Sequence, residues 1–204
     1  MNFPVDPGEQ LMGLFWMLRL DRELAAVEPG LAATFQRAGL EESAELAVAM
    51  GLDDTEPVVE RFDRGCQCYI ARNAVQLVSY GWITFDEEDI GSLGLKVRLQ
   101  PGEAYIWDCA TLEAYRGQHL YPALLSVMLR DLRAAGYWRV WIGMDADNLA
   151  SQAGVERAGF QPIVALLQAN HATSPGFLVR GYPAASLQDV RDAQKVLLGE
   201  AARA

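Results

Sequence analysis

Ala110-Thr111-Leu112-Glu113-Ala114-Tyr115-Arg116-Gly117-Gln118-His119-Leu120-Tyr121-Pro122 lies between two segments of opposite periodicity. Upstream, Ala104 to Leu112 is an apolar run rich in aromatic residues, set off by Pro101 and Gly102, and it reads as a strand buried on both faces. Downstream, Leu124, Leu125, Met128, Leu129 and Leu132 recur at helical intervals between Tyr121 and Ala135, with Pro122 suited to the first turn and Gly136 to the stop. A strand that turns sharply into a helix leaves several backbone N–H groups without intrahelical partners, with the positive end of the helix dipole behind them. Phosphate binds such a spot. Gly117 lets backbone approach a ligand closely, and Arg116 adds a charged contact. Taken alone, the same residues also describe a plain strand-to-helix turn with a solvated arginine.

Working outward, Tyr137 to Met144 reads as the next strand and Asn148 to Arg157 as a short helix ended by Ala158 and Gly159. Phe160 to Ala169 and Gly176 to Gly181 read as two closing strands, and Ser186 to Ala202 as a helical tail. Before the decisive segment, Cys68 to Ala71 and Gln76 to Phe85 form a hairpin about Arg72, Asn73 and Ala74. Asp86 to Asp89 with Gly91 mark an outer loop, and Leu93 to Leu99 a further strand. Glu9 to Val27 mixes apolar and charged positions at helical spacing, and Glu41 to Met50 reads as a second helix stopped by Gly51. Asp53, Asp54 and Glu56 ahead of Pro57 then form a connector. Strand, helix, strand, helix, strand from 104 to 169 is an α/β signature, and the preceding hairpin makes the sheet mixed. One domain over 1–204 is expected, with a helical N-terminal part (1–60), a core (66–181) and a C-terminal helix (186–204).

The 204 residues are 51% hydrophobic and carry 17 Lys plus Arg against 27 Asp plus Glu, a formal charge of -10. That balance disfavours nucleic acid and anionic membrane surfaces as partners. Leu11 to Leu18 is too short for a membrane span of about 20 residues, and no basic run precedes it, so a cytoplasmic protein is expected. Cys66, Cys68 and Cys109 are an odd number without a second pair, and neither His119 nor His171 has a ligand neighbour, so no metal site is expected.

Arg116, Gly117, Gln118 and Leu120 resemble the pyrophosphate loop of the GCN5-related N-acetyltransferase (GNAT) superfamily, whose pattern is Gln or Arg, two residues, Gly, one residue, then Gly or Ala. His119 stands where the first patterned Gly is expected, and Tyr121 where Gly or Ala is expected. Asn148, Ala150, Ser151, Ala158, Gly159 and Phe160 are similar to the family's later segment, in which an Asn and a Ser open a helix that ends in Gly-Phe. The resemblance covers about 103 to 165 closely and the 66 to 85 hairpin loosely. It implies a mixed, mostly antiparallel central sheet flanked by helices, with a splayed pair of parallel central strands, and acetyl-coenzyme A as cofactor. Asp108 to Thr111 would splay from Trp138 to Ile142, freeing backbone at Cys109, Ala110 and Thr111 to bond the pantetheine arm and polarise the thioester carbonyl. Amides of Gln118, His119, Leu120 and Tyr121 would hold the diphosphate, and Asn148 and Ser151 would line the far side of the arm. The side chains of His119 and Tyr121 would point outward if φ is negative there, so that only backbone meets phosphate.

Acyl transfer to an amine calls for a general base and a general acid. Asp108 and Glu103, on or beside the central strand, are candidate bases, with Tyr105 next. If the strand alternates, Tyr105, Trp107, Cys109 and Thr111 share one face and Asp108 takes the other. Asp108 in an apolar strand has either a hydrogen-bonded structural role or a perturbed pKa. His119 could serve as base or contact phosphate and solvent. Many family members carry a Tyr acid four residues before Gly-Phe, whereas this chain has Val155 and leaves that role open. Cys109 would sit near the thioester, yet no His is placed to make it a thiolate, and it reads as an inert thiol. Phe15, Trp16, Trp82 and Trp107 could wall an acceptor pocket or pack the core. The resemblance thus implies N-acyl transfer to a small-molecule or peptide amine, with a non-catalytic acyl-coenzyme A-binding or regulatory module as the rival, favoured by His119, Tyr121 and Val155. Val196, Leu197 and Leu198 on the tail would suit a homodimer contact.

Overall fold

A computed structural model describes residues 3–90, 94–169 and 177–199. The expectations at Gly91, Leu93, His171, Gly176 and 200–202 lie outside these residues.

The strands are β1 (Glu9–Arg19), β2 (Thr34–Ala38), β3 (Gln67–Asn73), β4 (Gln76–Thr84), β5 (Glu87–Ile90), β6 (Leu95–Arg98), β7 (Glu103–Thr111), β8 (Arg139–Asp145), β9 (Gln161–Ala169) and β10 (Phe177–Gly181). The helices are α1 (Ser43–Met50), α2 (Glu56–Asp63), α3 (Leu120–Ala134), α4 (Leu149–Arg157) and α5 (Leu187–Leu198). Eight strands form one sheet in the order β10-β9-β1-β8-β7-β4-β3-β2, and β5 with β6 makes a separate hairpin. Every pairing in the large sheet is antiparallel except β7 with β8. The mixed α/β sheet with one parallel central pair is the architecture expected from residues 66 to 181.

The N-terminal part departs from expectation. Glu9 to Val27 is not a helix: β1 runs through its first half and lies inside the sheet between β8 and β9. The cause is burial on both sides. Leu14, Trp16 and Leu18 pack into the core beneath α3, while Phe15 and Met17 join the core beneath α5. A run apolar on both faces satisfies helical and strand periodicity alike, so spacing could not separate them. The expected connector holds at Asp53 and Asp54, but Glu56 already begins α2, whose first turn takes Pro57, a place where a missing N–H costs nothing. The expected loop Asp86 to Asp89 is largely strand β5, in which Glu88 is buried and paired with Arg64 at 3.1 Å.

Two layers cover the sheet. Leu124, Leu125, Met128, Leu129 and Leu132 of α3 bury one face against Ile83, Ile106, Val140 and Ile142. On the other face, Ala193, Val196 and Leu197 of α5 pack against Trp141 and Val164, so of the residues expected at a homodimer contact Val196 and Leu197 are core and Leu198 is exposed. Leu46 of α1 and Val58 of α2 close the same face over Cys68, Ile70 and Trp82.

Candidate active site

The parallel pair β7·β8 is registered only from Glu103 opposite Arg139 to Ile106 opposite Ile142. Beyond Ile106 the ladder stops, and Trp107 to Thr111 part from the other strand. The residues across the gap are Gly143 to Asp145, not Trp138 to Ile142 as the sequence suggested. On its other edge β7 stays paired with β4, where Tyr80 meets Ala110 and Ser79 meets Thr111. Backbone groups of β7 that face the gap therefore have no ladder partner, and such groups are strong donors and acceptors that seek one.

Below the gap, hydrogen bonding along α3 begins with the Ala123 amide donating to the His119 carbonyl at 3.1 Å. The amides of Leu120 and Tyr121 precede that bond and stay free for a ligand. Gly117 has φ +77° and His119 φ +54°, so the loop turns on two left-handed residues. This corrects the expectation of negative φ at His119: a residue with a side chain takes the place where glycine would be strain-free. Nη1 of Arg157 stands 2.9 and 3.0 Å from the two ring nitrogens of His119. Equidistance places the guanidinium over the imidazole face, because an in-plane approach would strike Cε1. His119 is thus a shelf for a cation at the mouth of the site. Arg157 was read from sequence only as the end of a helix; a basic residue in a last turn ordinarily serves the helix dipole, so no local signal marked it.

The loop, the opened strand and α4 enclose a cavity of about 580 Å³. It is lined by Cys109, Ala110, Thr111, every residue from Arg116 to Tyr121, Asn148 and Ser151, together with Arg157. The structure so brings together all the positions assigned to the cofactor. The Asn148 side chain accepts from the Ser151 amide at 3.0 Å and caps α4, which fixes Ser151 at the wall. Arg116 folds back, its Nε donating to the Thr111 carbonyl at 3.3 Å.

A second cavity of about 240 Å³ adjoins the first, and Cys109, Tyr121, Asn148 and Ser151 line both. Tyr121 does not point outward. Its ring lies against Gly154, where an added Cβ would come within 2.6 Å, and its hydroxyl is 3.4 Å from the Ser151 hydroxyl. The small residue absent from the loop is supplied across the site by Gly154. Burial holds the Tyr121 phenol well above its ordinary pKa, and does the same for Tyr105, which also lines the second cavity. Each is a proton donor at neutral pH, not a base.

The candidate bases are scattered. Glu103 is fully buried at the closed end of β7, six residues from Cys109 and so about 20 Å away along an extended strand. It is ion-paired with Arg139, which also meets Asp192 at 2.5 Å. Glu103 therefore does not belong to the site. Asp108 lines the second cavity but is bonded to Arg61 at 2.5 Å. The expected alternation also fails: Tyr105 and Trp107 pack on the α5 side, while Cys109 packs with Ile106 on the α3 side. Asp145 was not singled out from sequence. It is exposed, ends β8, lines the second cavity and has no ion pair among the described residues. An acidic residue at the open end of a central strand was the signal available. Burial raises the Cys109 thiol pKa strongly, as befits an inert thiol.

The model of the acetyltransferase (GNAT) family matches residues 36–160. Among solved structures, a GNAT-family acetyltransferase from Colwellia psychrerythraea is similar over 79% of this chain and 56% of its own, at 17% identity and a TM-score of 0.60. A GCN5-related N-acetyltransferase from Kribbella flavida is similar over 89% of this chain and 63% of its own (17% identity, TM-score 0.54). One from Sphaerobacter thermophilus is similar over 76% and 50% respectively (16% identity, TM-score 0.54). This chain thus spans between half and two thirds of these relatives' lengths, and at such identities the likeness is one of fold. No curated protein matches the chain.

Proposed function

Because this chain belongs to the acetyltransferase (GNAT) family, we propose that it transfers an acyl group, acetyl foremost, from acyl-coenzyme A to an amine of a small molecule or peptide. One observation carries the reading: the β7·β8 ladder ends at Ile106 and Ile142, directly above the free amides that open α3. The residues present fit the cofactor. The larger cavity, about 580 Å³, falls within the usual range for small-ligand sites, and Arg116 and Arg157 give its mouth positive charge. The amides of Gln118 to Tyr121 and the guanidinium of Arg157 would hold the diphosphate, and the backbone of Cys109 to Thr111 the pantetheine arm. Acetyl-coenzyme A, when bound, supplies an acyl group activated as a thioester.

The smaller cavity would take the acceptor. Asp145 at its rim attracts an ammonium and can accept its proton, directly or through water. Tyr121, at the junction of the two cavities, is protonated at neutral pH and is placed to protonate the departing thiolate, although burial makes its phenol a weaker acid than in water. It takes the part that Val155, fully buried, cannot. Direct transfer fits better than an acyl-enzyme, since burial keeps Cys109 protonated.

Titration calorimetry with acetyl-coenzyme A, followed by thiol release across a panel of amines, tests this. Heat on binding and release with at least one amine is the expected result. The rival, a cofactor-binding module without turnover, has its own support in the pairing of Asp108 with Arg61 and of Glu103 with Arg139. Heat without release from any amine would favour it, and no heat at all would remove both.

A further inference from the structure

Asp108 sits inside β7 with φ +43°, a left-handed conformation that a residue with a side chain adopts at a cost of about 1 kcal/mol or more. The cause is a bulge. Trp107 is opposite Trp82 and Ala110 is opposite Tyr80, so Asp108 and Cys109 together face the single residue Gly81. The extra residue reverses the alternation, which is why Cys109 points to the α3 side although Trp107 points away from it. Gly81 leaves the room: a Cβ there would come within 2.7 Å of Cys109 Sγ. The ladder to β8 ends at Ile106, immediately before the bulged residues.

What holds Asp108 in this conformation comes from outside the cleft. Arg61, in the last turn of α2, is bonded to the Asp108 carboxylate at 2.5 Å. Its guanidinium lies over the rings of Trp107 and Trp82, 4.4 and 5.1 Å from their centroids, within the reach of cation–π attraction. α2 itself is seated by Val58 in the core and by Phe62, whose ring is 5.0 Å from that of Trp82. A planar cation fixed against two indoles is a rigid anchor, unlike an exposed pair between two mobile side chains.

We propose that Arg61 is a positioning residue for the acyl site: acting through Asp108, it locks the left-handed bulge that opens the sheet and turns Cys109 toward the cofactor arm. This rests on the acyl-coenzyme A reading for what the opening receives. The opening itself is a property of the free protein. Arg61 lines neither cavity, so its removal reaches the site through the bulge and through Asp108 and Trp107, which line the smaller one.

The test is amide hydrogen exchange of the ligand-free protein, comparing wild type with Arg61→Met, Arg61→Lys, Asp108→Gly and the double variant Arg61→Met/Asp108→Gly. Arg61→Met should speed exchange at Trp107 to Thr111 by about tenfold while leaving Glu103 to Ile106 at the wild-type rate. Arg61→Lys, which keeps the charge but loses the planar stack, should fall between. Asp108→Gly adopts the left-handed conformation freely, so adding Arg61→Met to it should change nothing further. If active, Arg61→Met should raise KM for the acyl donor. Unaltered exchange at Trp107 to Thr111 in Arg61→Met overturns the proposal, as do additive effects in the double variant. Should Arg61→Met fail to fold, Arg61→Lys and Asp108→Gly decide by the same local comparison. Failure of coenzyme A to bind wild type would instead sink the functional reading, and the exchange data would still judge the anchor.

Discussion

The two halves of the β7·β8 pair are built from consecutive residues and do opposite things. From Glu103 to Ile106 the strands are hydrogen-bonded partners, sealed below by Glu103 and Arg139. From Trp107 to Thr111 they part, and the gap is lined by polar groups and aromatic rings. Both halves contain a carboxylate bonded to an arginine that lies against tryptophans: Arg139 over Trp138 and Trp141, Arg61 over Trp107 and Trp82. The same device closes one end and holds open the other. The difference is backbone: regular extension at Glu103, a left-handed residue at Asp108. Chemistry-bearing residue types in a strand therefore say little until the backbone beneath them is known.

The largest expected effect lies in the closed half. Glu103→Ala strands Arg139 in the core with only Asp192, and should lower unfolding free energy in urea by about 3 kcal/mol. A loss below about 1 kcal/mol would show that the seal is incidental.

In the open half, Tyr121→Phe removes the proposed proton donor while keeping the ring against Gly154. Steady-state kinetics should show kcat falling about 100-fold, with coenzyme A affinity by calorimetry within about twofold of wild type. An unchanged kcat would return the role to water. Asp145→Asn should cost about tenfold in kcat/KM for a cationic amine, because the exposed carboxylate draws in the ammonium and can take up its proton.

The smallest effect belongs to Cys109→Ala, which should retain thiol release with kcat within about threefold of wild type. Since burial raises the pKa of this thiol, the thiolate is scarce through neutral and mildly alkaline pH. Iodoacetamide labelling of the native Cys109 peptide, followed by mass spectrometry, should stay slow from about pH 7 to about pH 9, rising with pH without reaching a plateau.

Legibility from sequence followed the same divide. The strand, loop and helix around 104 to 135 were readable because Pro101, Gly102, Pro122 and Gly136 punctuate them and because α3 is amphipathic. The β3·β4 hairpin was readable from its turn, where Ala74 takes φ +52°. β1 was not, since burial on both faces erases the period that would distinguish strand from helix. The positions that the family resemblance assigns to the cofactor, a strand end, a contiguous loop and an N-cap, line one cavity. The catalytic candidates were weighed on strict alternation, and one inserted residue at Asp108 and Cys109 moved Cys109 to the other side of the sheet. Arg61 and Arg157 escaped notice because each acts on a residue far away in sequence: Asp108 for one, His119 for the other.

The position of β1 between β8 and β9 has a consequence for how the chain is made. Glu9 to Arg19 leaves the ribosome long before its partners at 139–145 and 161–169, and its run Leu14 to Leu18 is almost wholly apolar. Until synthesis passes Asp145 that segment waits without a mate, and until Ala169 with only one, exposed to neighbours and to chaperones. Such distant pairing slows folding and invites aggregation of unfinished chains. A circular permutant that places β1 after β9 would complete the sheet without that delay, and should refold faster while reaching the same native structure.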